Sequence, residues 1–141
     1  MLDKLYDQVV ACLAAHRTCV ISVASPEGGQ AALVRYRNRG LEVDCLLPRW
    51  SDVVYYLQQD PRVSLVVQEE EGRLRWLRGW GLAQIVSRPD WDGWALGNNA
   101  GATLQDLYVV VRVVLRRVDL LDEEQGWGVL GTWERSKADG A

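Results

Sequence analysis

The positions of several arginines suggest an anion site. Arg35 and Arg37 end a predicted strand, and Arg49 follows the next strand along the chain. Two residues later, Ser51 is a good N-cap for a short helix predicted over 52–59. A helix N-terminus beside a guanidinium and a hydroxyl is a natural cradle for a phosphate group. The start of this short helix is therefore a candidate phosphate site.

A plainer interpretation of the same arginines stays open. They, together with Arg112 among the valines of the last predicted strand, could project into solvent. They could also pair with Glu42 and Asp44, two acidic residues on the outer side of the third predicted strand. The sequence does not separate a phosphate cradle from ordinary surface ion pairs.

The aromatic composition is unusual, with seven tryptophans and no phenylalanine. Tryptophan joins a large apolar surface to one N–H donor, so it suits interfaces and flat ligands as well as cores. Trp50 and Trp127 lie beside turns, while Trp76 and Trp80 fall within a long predicted strand. The set is compatible with a site that stacks a planar ring, and equally with core and dimer contacts.

Metal and histidine chemistry have few candidate residues. The chain has one histidine, His16, and three cysteines without a Cys-x-x-Cys pair, so we expect no metal site. His16 stands at the predicted end of the first helix, where a partly positive imidazole suits the helix dipole. If the protein is an enzyme, a bound cofactor is therefore expected to supply the difficult chemistry.

Length and charge limit the class of protein. The 141 residues, 48% of them hydrophobic and 25% charged, predict one globular domain over 1–141. A net charge of −3 argues against a nucleic-acid partner, and no apolar stretch approaches the roughly 18 residues of a membrane span. An odd number of cysteines indicates reduced thiols, and hence a cytoplasmic protein.

Hydrophobic periodicity predicts a mainly β (α+β) fold. The pattern gives a helix over 2–16, an inserted helix over 52–59 and six strands, over 19–25, 31–37, 41–47, 62–68, 73–87 and 107–122. Short turns between the strands favour a six-stranded, largely antiparallel barrel. Gly79 and Gly81 mark a bulge or close backbone approach, and 122–141 form a C-terminal arm or tail.

The order of these parts resembles the pyridoxamine 5'-phosphate oxidase-like family of FMN-binding split barrels. The resemblance covers roughly residues 2–122. It rests on the leading helix, on the third strand and on three segments: Val20-Ile21-Ser22-Val23-Ala24, Leu57-Gln58-Gln59-Asp60-Pro61-Arg62-Val63-Ser64-Leu65 and Trp76-Leu77-Arg78-Gly79-Trp80-Gly81-Leu82-Ala83.

The resemblance implies a homodimeric flavoprotein with FMN at the subunit interface. It places the flavin phosphate at Arg49, Ser51 and the first amides of the short helix, with Arg35 in support and Trp50 alongside. Trp127 of the other subunit would cover the ring. Such a protein would be an FMN-dependent oxidoreductase whose substrate the sequence does not identify.

One departure from the family pattern bears on the cofactor. The Arg-Lys pair typical of the family is replaced by Asp52-Val53, and the hydroxyl at the strand end by Leu47. This changes the local charge by three units, and each unit pair at ~4 Å is worth ~4 kcal/mol at an effective dielectric near 20. The alternative is therefore a flavin-free split barrel that serves as a binding module. A deazaflavin, or a haem ligated by His16 or a thiol, is a third possibility.

Overall fold

A computed structural model of the protein describes residues 2–70, 74–94, 100–126 and 128–135. Within them the helices are α1 Leu2–Ala15, α2 Asp52–Leu57 and α3 Ala100–Leu107. The strands are β1 Thr18–Ser25, β2 Gly28–Arg39, β3 Glu42–Pro48, β4 Arg62–Glu70, β5 Leu74–Ile85, β6 Tyr108–Asp122 and β7 Val129–Glu134. The predicted fold class is confirmed, and a seventh strand joins the six expected from the sequence.

The long strand β6 closes the barrel. The sheet runs in the order β3-β2-β1-β4-β5-β6-β7, every pairing is antiparallel, and β3 also pairs with β6. The first half of β6 lies against β3 (Asp44↔Arg112), whereas its second half pairs with β7 (Asp119↔Thr132). Six strands therefore form a closed barrel, and β7 extends the sheet beyond the point where the barrel opens.

Strand alternation places the core as the sequence predicts. The period of two predicts one inward face along β3 and the residue before it. The four residues on that face are all buried: Leu41, Val43, Cys45 and Leu47. The valines at alternate positions of β6 are also buried. From α1, Val9 and Leu13 are fully buried, so this helix covers part of the barrel core.

Gly81 allows a bulge between β5 and β6. The register of these strands shifts between Trp80 and Gly81, so that Trp80 pairs with Arg117 while Gly81 pairs with Leu115. Arg116 is therefore the extra residue of a β-bulge. A Cβ atom at Gly81 would collide with the backbone oxygen of Val114, so the close approach expected from this glycine is confirmed.

Part of the segment expected to be a C-terminal arm or tail forms β7. It pairs with the second half of β6 and also contacts α1, where the Tyr6 and Trp133 rings have centroids 6.2 Å apart. A side chain at Gly131 would press on Leu5 of α1, so this glycine lets the helix approach the strand closely. Residues 136–141, the last part of the predicted tail, lie outside the described residues.

Among the described helices, none is both long enough and apolar enough to cross a membrane.

Candidate functional site

The predicted cradle at the start of α2 is built mainly for helix capping. Ser51 is the N-cap of this six-residue helix, and its Oγ accepts a hydrogen bond of 3.3 Å from the Val54 amide. Asp52 places a carboxylate in the first turn, where it interacts favourably with the helix dipole but repels an anion. The cap therefore already satisfies one of the amides that a phosphate would use.

Arg49 binds the protein backbone next to this cap. Its Nη2 donates to the carbonyl oxygens of Gln105 and Tyr108, at 2.6 and 3.3 Å, and its amide donates to the Leu107 oxygen at 2.8 Å. These bonds fasten the end of β3 to the junction of α3 and β6. These side-chain bonds occupy Nη2, so a phosphate at this place would have to use the N–H groups of Nε and Nη1.

The other residues predicted from the sequence are dispersed. Arg35 is exposed on β2 opposite Leu46, and Trp50 is also exposed, at 79% of its surface. Trp127 lies outside the described residues. The hydrogen bonds described for Arg49 and Ser51 do not join them to each other or to Arg35. Arg49 lines a separate pocket of about 400 Å³ together with Gln105 and Tyr108, and none of the other three candidates lines it. The structure therefore does not gather these candidates into one cradle.

A polar pocket of about 330 Å³ collects several of the remaining arginines. On its wall, Arg112 makes a two-bond contact with Asp44, at 2.9 and 3.1 Å. Arg37 lies 4.5 Å from the centroid of the Trp94 ring and donates to the Asp90 carbonyl oxygen at 2.8 Å. The plainer interpretation of Arg112, an ion pair with the acidic residues of β3, is therefore confirmed.

A larger and more apolar pocket lies on the outer face of β1, β4 and β5. Its volume is about 600 Å³, within the roughly 300–1,000 Å³ of small-molecule sites. We call it the Trp80 pocket; it is lined by Ser22, Val23, Ala24, Gly29, Arg62, Val63, Ser64, Trp80, Gly81, Leu82 and Arg116. It offers an apolar surface with one large ring and few polar groups, the usual make-up of a cofactor site.

Strand register brings the polar groups of the Trp80 pocket together. Ser22, Ser64 and Trp80 pair in one row across β1, β4 and β5, so their side chains point to the same side of the sheet. The Ser22 and Ser64 hydroxyl oxygens are 2.5 Å apart. Two hydroxyls therefore stand beside the Trp80 ring and can donate to or accept from a ligand.

The β-bulge adds the positive charge of Arg116 to the Trp80 pocket, which is also lined by Arg62. Because Arg116 is the extra residue of the bulge, it and Arg117 are exposed side by side, although neighbours in a strand ordinarily alternate between faces. Arg116 lines the pocket together with Arg62, whose guanidinium pairs with Asp60 at 2.7 Å. The apolar floor thus has cationic groups along its boundary.

A buried carboxylate supports the cations around Trp80. The Arg78 and Arg117 guanidinium carbons lie 5.4 and 5.2 Å from the centroid of the Trp80 ring. Both arginines also pair with Asp119, which is fully buried and accepts from Thr132 Oγ1 at 2.7 Å. Burial acts to raise the pKa of Asp119, but the hydrogen bonds from Thr132 and Arg78 and the nearby Arg117 lower it overall.

An exposed apolar surface surrounds the pocket. Leu33 of β2 is 75% exposed and pairs with Val20 of β1, while Trp80 and Leu82 of β5 are each 38% exposed. All four side chains lie on the outer face of neighbouring strands. Exposed apolar side chains grouped in this way are typical of an interaction or ligand surface.

His16 and the cysteines lie apart from this surface. Four well-formed pockets among the described residues are lined neither by His16 nor by a cysteine. Cys19 and Cys45 are buried, with sulfur atoms 4.0 Å apart. These pockets therefore give no support to a haem ligated by His16 or by a thiol.

Apart from Trp80, which belongs to the tryptophans compatible with a ring-stacking site, sequence reasoning did not select the functional groups of the Trp80 pocket. Ser22 and Ser64 occupy outward positions in strands that are otherwise rich in valine and leucine, and this was the signal available. They come together only through the pairing of strands 42 residues apart, which no local pattern reveals.

Comparison with known proteins identifies the fold. No protein-family model matches the sequence, and no curated protein matches it either. The structure is similar to a Clostridium acetobutylicum protein related to general stress protein 26 of Bacillus subtilis, of the pyridoxinephosphate oxidase family. The TM-score is 0.69 and the identity 10%, over 94% of this chain and 95% of that one.

Two further similar structures are named for their ligands. One is a FAD-binding protein from Mesorhizobium loti (TM-score 0.60, 17% identity, 79% of this chain and 89% of that one). The other is a heme-binding protein from Mycobacterium smegmatis (TM-score 0.58, 19% identity, 79% of this chain and 52% of that one). At these identities the likeness concerns the fold, which is the split barrel expected from the sequence.

Proposed function

Because the chain has the split-barrel fold of pyridoxamine 5'-phosphate oxidase-like proteins, we propose that it is a homodimeric flavoprotein with its cofactor in the Trp80 pocket. The observation that carries this proposal is the pocket itself, about 600 Å³ of mainly apolar surface with one exposed tryptophan, two hydroxyls and two arginines. A FAD-binding protein and a heme-binding protein share this fold, and the lack of His16 and of cysteines in the pocket lining favours the flavin.

Each group in the pocket suits one part of FMN. The Trp80 ring offers a face for stacking, and the Ser22 and Ser64 hydroxyls can bond to polar atoms at the edge of an isoalloxazine. Arg116, directed outward by the bulge, is the group we assign to the phosphate. This assignment moves the phosphate away from Arg49 and Ser51, whose polar groups already bond within the protein.

Bound FMN would give the protein oxidoreductase chemistry, since hydride and electron transfer are properties of the flavin. The protein would hold the ring against an apolar surface and, through the second copy, shield it from water. The charges of Arg78, Arg117 and Asp119 beside Trp80 would tune the electrostatic environment of the ring.

A flavin-free binding module is the second candidate, and one observation favours it. The Arg49 Nη2 group is bound to backbone carbonyls and the Asp52 carboxylate begins α2, which disfavours a phosphate at the place where the family resemblance puts one. If the Trp80 pocket also fails to bind a flavin, its exposed apolar rim remains as an interaction surface.

The test begins with purification of the protein from a flavin-replete host and analysis of any released cofactor. FMN and riboflavin are then titrated separately, because only FMN carries the phosphate. We expect the protein to bind FMN, and to bind riboflavin more weakly. Failure to bind either compound would reject the flavoprotein and leave the binding module.

Two matched pairs of variants locate the site. Trp80→Leu should weaken FMN binding about tenfold, since aromatic stacking is worth roughly 0.5–1.5 kcal/mol beyond the lost area, while Trp50→Leu should not. Arg116→Gln should lower the binding free energy of FMN by about 1.5–3 kcal/mol and that of riboflavin only slightly. Arg49→Gln should leave the affinity for both compounds unchanged. The opposite pattern would return the phosphate to α2.

A further inference from the structure

The lone histidine has a thiol neighbour on the same helix face. Cys12 lies in α1, and His16 follows the last helical residue, with its amide 3.4 Å from the Leu13 oxygen. Residues four apart on a helix stand one above the other. The spacing therefore presents a sulfur and an imidazole to the same neighbour.

That neighbour is the end of β4, which supplies a carboxylate. One donor atom each from Cys12, His16 and Glu69 lies within 4.8 Å of the other two, and all three residues are half-buried. Glu69 is 53 positions after His16 in the sequence, so the grouping arises only through the packing of α1 on the barrel. No pocket described above includes any of the three.

A second observation in this group is an unpaired nitrogen. His16 Nε2 is buried, and no hydrogen-bond partner for it occurs among the described residues. An unpaired buried polar atom costs roughly 1–3 kcal/mol, so proteins seldom keep one without a purpose. A metal ion would supply the bond that this nitrogen lacks.

The donor set selects the class of metal. Thiolate, imidazole and carboxylate together are typical zinc ligands, whereas Mg²⁺ and Ca²⁺ take oxygen ligands. Bonds of about 2.0–2.3 Å place the ligands of a tetrahedral zinc roughly 3.3–3.8 Å apart, so side-chain movements of about 1 Å would close the site. Two anionic ligands would also balance the charge of the dication.

The surroundings allow such an ion. Arg75 pairs with Glu69 at 3.9 Å, but it lies 3.7 Å from Asp122 as well. When Glu69 turns to a metal, the guanidinium therefore retains a carboxylate partner. Among the described residues, the site therefore competes with one long ion pair of Glu69.

We propose that Cys12, His16 and Glu69 bind Zn²⁺ through three protein ligands, with the fourth position open to water or an exogenous ligand. The ion would join α1 to β4, a link additional to the contacts of α1 with β7 and to the Tyr36 hydrogen bond to the Leu13 oxygen. On binding, the Cys12 thiol releases its proton to solvent.

The first experiment measures metal binding by the full chain. The protein is stripped with a chelator and dialysed, then titrated with Zn²⁺ against a chromophoric chelator and, separately, with Co²⁺ alone. We expect one Zn²⁺ per chain, and a thiolate-to-cobalt charge-transfer band with Co²⁺. Binding too weak to compete with the chelator, together with no charge-transfer band, would overturn the proposal.

Variants then assign the ligands. Cys12→Ser should abolish the charge-transfer band, and His16→Gln and Glu69→Gln should each lower zinc affinity more than about 100-fold, beyond the 10- to 100-fold typical of outer-shell residues. Asp7→Asn, on an exposed position of α1, and Cys19→Ala are the carboxylate and thiol controls and should bind as wild type.

Circular dichroism and thermal unfolding of each stripped variant separate loss of ligand from loss of fold. Only variants that unfold cooperatively near the wild-type temperature are scored. If the folded Glu69→Gln and His16→Gln proteins bind zinc as tightly as wild type, the assignment is wrong. These measurements do not involve a flavin. Absence of zinc binding would therefore overturn the metal site without affecting the proposed flavin binding.

Discussion

At the scale of single residues, Asp119 is the charge that depends most on its partners. It is fully buried, and it is held by Thr132, by Arg78 at 2.9 Å and by Arg117 at 3.6 Å. A buried carboxylate without partners would be neutralised or would destabilise the fold. Here its partners keep it ionised and, through it, fix the two cations that stand over Trp80.

Asp119→Asn should lower the free energy of unfolding by about 1–3 kcal/mol at pH 7, because charge-assisted hydrogen bonds are lost. The pKa of Asp119 in the folded protein is lowered from 3.8, so its contribution to stability is complete above that value. It is lost as the pH falls below 3.8 through the folded-state pKa. Urea unfolding at several pH values should therefore show that the difference in free energy of unfolding between the wild type and Asp119→Asn becomes smaller in acid.

Asp60 provides the control for this experiment. Its pKa is lowered to about 2 by hydrogen bonds from Arg62, a shift of the same sign. Arg62 is 80% exposed, and solvent screens the pair. Asp60→Asn should therefore change stability much less than Asp119→Asn. Equal effects of the two substitutions would show that the burial of Asp119 does not matter.

At the scale of elements, the sequence predicted what local patterns encode. Six strands and two helices followed from periods of 2 and 3.6, and the bulge followed from Gly79 and Gly81. The strand β7 was missed because Val129–Glu134 is mostly exposed and has no clear apolar face. The Trp80 pocket was missed because strand pairing, and not sequence proximity, brings Ser22 to Ser64.

The bulge at Gly81 provides a test of how an element positions a functional residue. Gly81→Ala would push a methyl group into the backbone at Val114, so we expect a loss of about 1–3 kcal/mol, as for other overpacked sites. Urea unfolding measures this loss. Gly29→Ala is the control, since its Cβ would lie 3.6 Å from the Val23 oxygen, an ordinary contact.

The same variant connects the bulge to the proposed cofactor site. If Gly81→Ala folds, its altered register should move Arg116, and FMN affinity should fall. A Gly81→Ala protein with unchanged stability would contradict the close approach seen between β5 and β6. Unchanged FMN affinity in a destabilised variant would instead separate Arg116 from the phosphate.

At the scale of the whole molecule, the exposed apolar face predicts self-association. In a single copy, the Trp80 pocket is open on its outer side. The exposed apolar side chains on the same face belong to neighbouring strands: Val20, Leu33, Trp80 and Leu82. A two-fold dimer over this face would bury the same patch twice and cover the pocket from the other side. The family resemblance implies a homodimer, which stays a prediction. The exposed apolar face specifies which surface the two copies would share.

Leu33→Glu should convert that dimer to a monomer. Burying a leucine side chain contributes roughly 1.5–3 kcal/mol. Because a two-fold interface contains the substituted residue once from each subunit, the free energy of dimerisation should weaken by about 3–6 kcal/mol. Light scattering coupled to size exclusion measures the mass, and FMN titration of the same samples should show weaker binding by the monomer. Leu107→Glu is the control, because Leu107 is also exposed, at 49%, but lies at the end of α3. A monomeric wild-type protein, or a dimer that resists Leu33→Glu and yields to Leu107→Glu, would place any interface elsewhere and leave the Trp80 pocket open on its outer side.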